Sequence, residues 1–404
     1  MSLKWPRFFF ALLCVLLVSS AGTTARADEN TDRFERTVQE LQRETQVRFD
    51  AELPPGQRAL IDYGGYLTLG YLSVDDAAHD NHGLRQYQLV GYGRVNLDDV
   101  HEFYFRGRTE YDNYNAGDAY NHEPDHLEGY VEEGWYRFDL QHFAASRGQT
   151  VSYDLSLKAG RQFVDWGNGL TLDQYVDGIA AQYSGPVVID LLAAVTVPQT
   201  IDFDTSRPDF DDNTRRGYYG AKLTVPVGRQ NPYAYFLLQR DYNRAQSPVT
   251  HLVTTDYNYD SYYVGTGSNG ALSDNFTYAA EVCYEGGHGL SDSLDALTGK
   301  PTNQSDDRIE AWAANGRVDY LLNDSRKTRF SVQAVFASGD TDRQNTEATF
   351  GGNLPHTADR AFNSLGVIYD GLAFTPPVSN LLMLRLGAST YPAPVGRLHG
   401  LQVG

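Results

Sequence analysis

From residue 61 onward, apolar and polar positions alternate with a period of two, which predicts strands with two unlike faces. Fifteen segments carry the pattern: 61–74, 84–98, 101–112, 127–143, 151–164, 171–183, 187–197, 215–227, 232–243, 260–269, 276–285, 308–322, 327–338, 361–373 and 379–390. Most are as long as a tilted membrane strand requires. Ahead of them, Asp28 to Asp50 follows a different period. Phe34, Val38 and Leu41 are spaced by four and three, which predicts a short amphipathic helix ended by Pro54-Pro55-Gly56.

The connections alternate as well. Short turns fall near 98–100, 144–150, 184–186, 228–231, 270–275, 323–326 and 374–378. Longer acidic loops fall near 75–83, 113–126, 198–214, 244–259, 286–307 and 339–360, with one short exception at 165–170. A membrane barrel keeps its short turns on the periplasmic side and its long loops outside, whereas a soluble sandwich has no reason to hold that parity. The predicted fold is all-β: a transmembrane antiparallel up-and-down β-barrel of about 16–18 strands with a short N-terminal helix. Fifteen is an odd count, so either at least one closing strand is missing from residues 57–404 or one segment is miscounted, and the first is the expectation.

Several strands show which face meets lipid. Phe103 and Phe105 oppose Glu102, Tyr104, Arg106, Arg108 and Glu110; Leu89, Val95 and Leu97 oppose Gln88, Tyr92, Arg94 and Asn96. Phe276, Tyr278, Val282 and Tyr284 oppose Glu281, Cys283 and Glu285, and Leu382, Leu384 and Leu386 oppose Arg385. A charge on the lipid face costs about 2–4 kcal/mol near the midplane, so the charged face points inward. Segments 187–197 and 232–243 alternate too poorly to assign.

Composition fits this picture. The chain carries 28 Tyr, 38 Gly and 13% aromatic residues among 21% charged ones, as aromatic girdles around a wet interior require. No stretch beyond the N-terminus is apolar enough for a spanning helix. Residues 1–27 read as a signal peptide: basic Lys4 and Arg7, an apolar run from Phe8 to Val18, and Ala25-Arg26-Ala27 as a small-x-small cleavage site. Residues 28–56 then form a periplasmic leader. Removing 1–27 leaves 30 of the 33 Lys and Arg against all 52 Asp and Glu, a balance that excludes nucleic acid as a partner. Cys283 is the only cysteine left, so no internal disulfide can form. Localisation in the outer membrane of a Gram-negative-type cell is expected, with outer-membrane lipid, lipopolysaccharide and the barrel-assembly machinery as partners.

Candidate pore-lining residues are Arg94, Arg106, Arg108, Lys222, Arg329 and Arg385, with Glu102, Glu110, Glu281 and Glu285 among them. Rings of such side chains set pore selectivity, and Arg forks favour anionic solutes. The same residues can instead pair into ladders that stiffen the wall. Acidic loops such as the one holding Asp202, Asp204, Asp209, Asp211 and Asp212 could bind calcium, though solvated loops have the same composition. His79-x-x-His82 and His122-x3-His126 have loose metal-like spacing without a supporting framework. No strand centre pairs Ser with His and no glycine-rich phosphate loop occurs, so no enzyme, metal or cofactor is expected.

Two stretches resemble a known family. The run from Leu127-Glu128-Gly129-Tyr130 to Glu132-Glu133-Gly134-Trp135-Tyr136 precedes Leu157-Lys158-Ala159-Gly160-Arg161-Gln162, then Asp165-Trp166-Gly167 and Asp177-Gly178-Ile179. Further on come Ala337-Ser338-Gly339-Asp340 and Phe362-Asn363. This order is similar to the alginate-export family of outer-membrane porins. The resemblance implies a monomeric barrel conducting an anionic polysaccharide through an Arg-rich constriction, with Arg161 and Gln162 on the pore wall and Lys158 on the same strand. Alternation points the other way for Arg161, which shares its face with Leu155, Leu157 and Ala159 and would sit at the rim near Asp165. A general diffusion porin is the alternative; a barrel hydrolase or a structural barrel is a weaker one.

Overall fold

The computed structural model describes residues 58–75, 81–115, 126–166, 168–197, 206, 215–243, 249–250, 253–254, 258–290, 304–341, 357–366, 378–393 and 403. The signal peptide and the leader helix of 28–50 lie outside these, as do His79, His122 and the acids of 201–205 and 207–214.

Fourteen strands follow one another as an antiparallel meander: β1 (Ala59–Asp75), β2 (Asn81–Leu97), β3 (His101–Tyr114), β4 (His126–Asp139), β5 (Asp154–Trp166), β6 (Leu172–Ser184), β7 (Val188–Thr196), β8 (Arg216–Thr224), β9 (Gln230–Asp241), β10 (Tyr259–Ala271), β11 (Phe276–Leu290), β12 (Asp306–Leu321), β13 (Arg329–Ala337) and β14 (Leu381–Ser389). Each pairs with its sequence neighbours, and β1 and β14 end the path. A two-residue strand, Leu365–Gly366, joins β6 in parallel and makes the sheet fifteen-stranded.

The wall is built inside out relative to a soluble sheet. Ile61, Tyr63, Leu67, Leu69, Phe105, Trp312, Phe336, Leu382 and Leu384 are exposed, while Gln88, Glu102, Arg106, Gln239, Glu281 and Asn315 are buried on the other face. Apolar outside and polar inside is the pattern of a transmembrane up-and-down barrel wall, since lipid solvates one face; among the described residues β1 and β14 do not pair with each other.

Among the described residues the meander has fourteen strands, beside the about 16–18 expected for the whole barrel. The described part of segment 361–373 is not in the wall meander: residues 361–364 have no regular pairing, Leu365–Gly366 pairs with β6, and β13 pairs directly with β14, while 367–377 lies outside the described residues. Its described apolar residues, Ala361, Phe362 and Leu365, are buried in the interior. Removing it turns the odd count into fourteen and places the start of β1 and the end of β14 on the same side.

Segment 127–143 also reads too long. β4 ends at Asp139, whose carboxylate accepts the His142 amide at 2.9 Å and caps helix α1 (Leu140–Ser146) in the short-turn side of the wall.

Candidate channel interior

The interior has two differently furnished halves. The first lies on β2–β4 and is a ladder of paired charges. Glu102 takes Arg94 from β2 and, at 2.6 Å, Arg137 from β4. Glu132 takes Arg106 and, at 2.6 Å, Arg108; Glu133 lies 3.7 Å from Arg106. Glu110 lies 3.6 Å from Arg108 and accepts Gln86 at 2.5 Å and Gln88 at 3.1 Å.

Adjacent strand residues normally face opposite ways, yet Glu132 and Glu133 are both buried and both lie against Arg106. A register shift supplies the reason. Arg106 pairs with Glu133 and Gly107 with Val131, so β4 bulges by one residue there and both acids turn inward.

The second half lies on β5–β12 and is filled with side chains and inserted chain. Glu281 of β11 accepts the Tyr233 hydroxyl at 2.7 Å and the Tyr235 hydroxyl at 2.5 Å. Tyr235 also shares a 2.6 Å hydrogen bond with Thr171, and Asn168 donates to Tyr233 at 3.0 Å. Thr171 lies in the short 167–171 connection, the exception to the length alternation, and this connection turns into the interior rather than outward: Leu170, Thr171 and Leu172 are fully buried.

Residues 359–366 dock onto this connection and onto the far wall. The Leu365 amide donates to Thr171 O at 3.0 Å, and the Ser364 hydroxyl to Leu170 O at 2.9 Å. The Asn363 amide donates to Glu285 at 2.8 Å, and the Tyr263 hydroxyl lies 2.7 Å from Asn363 O and 3.0 Å from Glu285. Phe362 meets Tyr263 edge-on at 5.9 Å between ring centroids. Asp359 pairs its backbone with β12, and the Arg360 amide donates to Asp340 at 3.0 Å. An eight-residue stretch thus crosses from β12 to β6 inside the wall.

The candidate residues sort by face. Arg94, Glu102, Arg106, Arg108 and Glu110 face inward in the ladder. Lys158 faces inward with its ammonium 4.2 Å from the Trp135 ring. Gln162 is buried inward, donating to Gly178 O at 3.2 Å. Arg329 faces inward at the turn end of β13, where it and Arg317 share Asp319 at 2.9 and 3.1 Å. Arg385 shares the inner face opposite Gln333. Lys222 pairs with Asp190 at 3.2 Å.

Arg161 is the correction. It stands on the outer face, as its alternation with Leu157 and Ala159 demands, and forks onto Asp177 at 2.9 Å twice. Its neighbour Gly160 has φ +121° and lies so close to β4 that a Cβ would stand 2.2 Å from Gly134 O, so this position admits only glycine.

Sequence reasoning missed Glu132, Glu133, Arg137 and the tyrosines of β9 and β10. Two consecutive acids inside an alternating strand were the available sign of the bulge.

No family model matches the chain, and no curated protein matches it. Solved structures with partial likeness are outer-membrane proteins. One is a loop L8 deletion mutant of OmpT, an outer membrane protein of Vibrio cholerae, at 14% identity over 69% of this chain and 82% of that one, with a TM-score of 0.33. Another is a triple mutant of the Rhodopseudomonas blastica porin, at 14% identity over 69% and 94%, with a TM-score of 0.27. The fold assignment stands on the strand order and the two-faced burial above, and these likenesses add no functional detail to it.

Proposed function

We propose that the chain is a passive outer-membrane channel without chemistry of its own, whose polar path runs along the β2–β4 ladder. The observation that carries the reading is inward charge on a wall whose other face is apolar. Arg94, Arg106, Arg108 and Arg137 stand across three strands with Glu102, Glu110, Glu132 and Glu133. The ladder balances four cations with four acids, so weak selectivity is expected rather than a strong anion preference. The inserted 359–366 stretch narrows the opposite side and limits conductance.

The finer reading, a conduit for an anionic polysaccharide, draws on the resemblance of 127–136 and 157–162 to alginate-export barrels. Pairing of every ladder arginine with a carboxylate counts against it. A general diffusion porin accommodates the balanced ladder more easily.

Conductance of the purified protein in planar bilayers tests the reading. Openings should turn anion-selective in Glu132→Gln/Glu133→Gln, because Arg106 and Arg108 then lose their compensating charges. Complete silence from folded, heat-modifiable protein, in wild type and in that variant, would remove the channel.

A further inference from the structure

The outer face carries an ion pair where lipid is expected. Arg161 and Asp177 stand opposite each other on β5 and β6, and the guanidinium forks onto the carboxylate at 2.9 Å. Both side chains are partly exposed. Aromatic pairs on the same two strands fix their depth. Tyr153 and Tyr183 meet toward the short turn, and Phe163 meets Tyr175 edge-on two residues beyond the ion pair on the other side. Aromatic girdles bound the apolar band of a barrel wall, so the two charges lie within that band.

Beside the pair the wall is indented. Among the described residues the β4–β5 ladder covers Gly134–Asp139 against Ser156–Arg161 and goes no further. An open hollow of about 720 Å³ lies there, and its lining includes Gly107, Thr109, Gly129 and Gly134 with Arg161 and Asp177. The glycines leave room: a Cβ at Gly129 meets nothing nearer than 3.7 Å, and one at Gly107 or Gly134 nothing nearer than 3.5 Å. The outer face of β12–β14 differs, because Val318, Phe330, Val332, Leu384 and Leu386 present carbon to the lipid there.

We propose that the outer face of β3–β6 is where two copies of this chain meet in the membrane, about a two-fold axis along the membrane normal beside Arg161 and Asp177. Charge facing lipid within the apolar band is destabilising, and an ion pair still has polar atoms to solvate, which protein does and acyl chains do not. An Arg–Asp pair is also self-complementary. A two-fold axis sets each Arg161 against the second copy's Asp177, as an isologous contact requires. Surfaces in lipid have no hydrophobic force to bring them together and associate through close packing at small residues, which the glycine hollow permits. Ile179 is exposed on the far side of the pair from the hollow, and the axis carries it over the hollow of the second copy. This dimer departs from the monomer that the resemblance to alginate-export porins implies, and the channel reading of the interior does not depend on it.

Subunit counting by single-molecule photobleaching of the full chain in phosphatidylcholine vesicles, at falling protein-to-lipid ratios, tests the proposal. Two-step bleaching should dominate for the wild type. Gly129→Trp fills the hollow and should lower the association constant about tenfold, whereas Leu384→Trp on β14 should leave it unchanged. A copy carrying Thr109→Cys, mixed with a copy carrying Ile179→Cys, should form an intermolecular disulfide on mild oxidation, since Cys283 is buried and does not compete. One-step bleaching of heat-modifiable wild type at every ratio would overturn the proposal. So would dimers that persist unchanged in heat-modifiable Gly129→Trp, or a Thr109→Cys and Ile179→Cys mixture that gives no more disulfide than Thr109→Cys mixed with Leu384→Cys.

Discussion

The two halves of the interior solve the same problem differently. On β2–β4, buried acids meet arginines, and the charges cancel within the wall itself. On β9–β11, Glu281 and Glu285 are as deeply buried but take hydrogen bonds from tyrosines and, for Glu285, from the inserted Asn363 amide. The ion pairs described in the first half all join residues of β2–β4. The second is complete only with 359–366 in place. A wall of uniform strand architecture thus carries one self-contained face and one face that depends on inserted chain.

Breaking the self-contained side should have the larger effect. Arg106→Ala leaves Glu132 and Glu133 buried with one cation fewer, and removal of one partner of a buried pair costs about 3–5 kcal/mol. Urea unfolding of the protein from lipid vesicles measures it. A double-mutant cycle with Glu132→Gln should recover much of the loss, because the stranded charge is then gone. A loss below about 1 kcal/mol, the scale of an exposed pair, would mean that water reaches the ladder and compensates it.

The dependent side should yield a smaller global loss and a larger functional change. Phe362 is fully buried against Tyr263. Phe362→Ala removes a buried ring, a change of about 3 kcal/mol where neighbours cannot collapse. Because the ring belongs to inserted chain rather than to the wall, the cost should be spent on loosening 359–366. Proteolysis within that stretch should quicken and single-channel conductance should rise, while heat-modifiability stays that of the wild type. Loss of the folded barrel itself would show that the insert holds the wall together, erasing the distinction between the halves.

The same division explains what could be read in the sequence. Phe103, Phe105, Arg106 and Arg108 alternate cleanly because one face meets lipid and the other meets charge, and the structure keeps that assignment. In β9, Tyr233, Tyr235 and Leu237 are buried inward while Phe236 is exposed outward. Both faces are apolar or aromatic there, since the inner one packs on Trp166, Leu170 and the insert rather than on water, so alternation vanishes. Segment 361–373 deceived for the converse reason: Phe362 and Leu365 are spaced like core residues, and local pattern does not say whether a core lies in the wall or within it. The Glu132–Glu133 bulge depends on the register against Arg106, a long-range fact. Arg161 was placed correctly by its alternation and wrongly by its motif.

The smallest effect expected lies outside both halves, at the turn between β12 and β13, and serves as their control. Asp324 accepts the Thr328 amide at 2.8 Å and the Thr328 hydroxyl at 2.8 Å. These two bonds, the amide first, hold its carboxyl below the usual carboxylate range. A folded-state value below the unfolded one gives stability that is present above the unfolded value, about 3.9 for Asp, and fades as pH falls through the folded value. Urea midpoints of wild type and Asp324→Ala should therefore differ slightly at neutral pH and converge in acid. Neither channel selectivity nor cleavage of 359–366 should change with this variant, because the turn touches neither the ladder nor the insert. A change in either would show that this turn communicates with the interior, and the two halves could no longer be treated as independent.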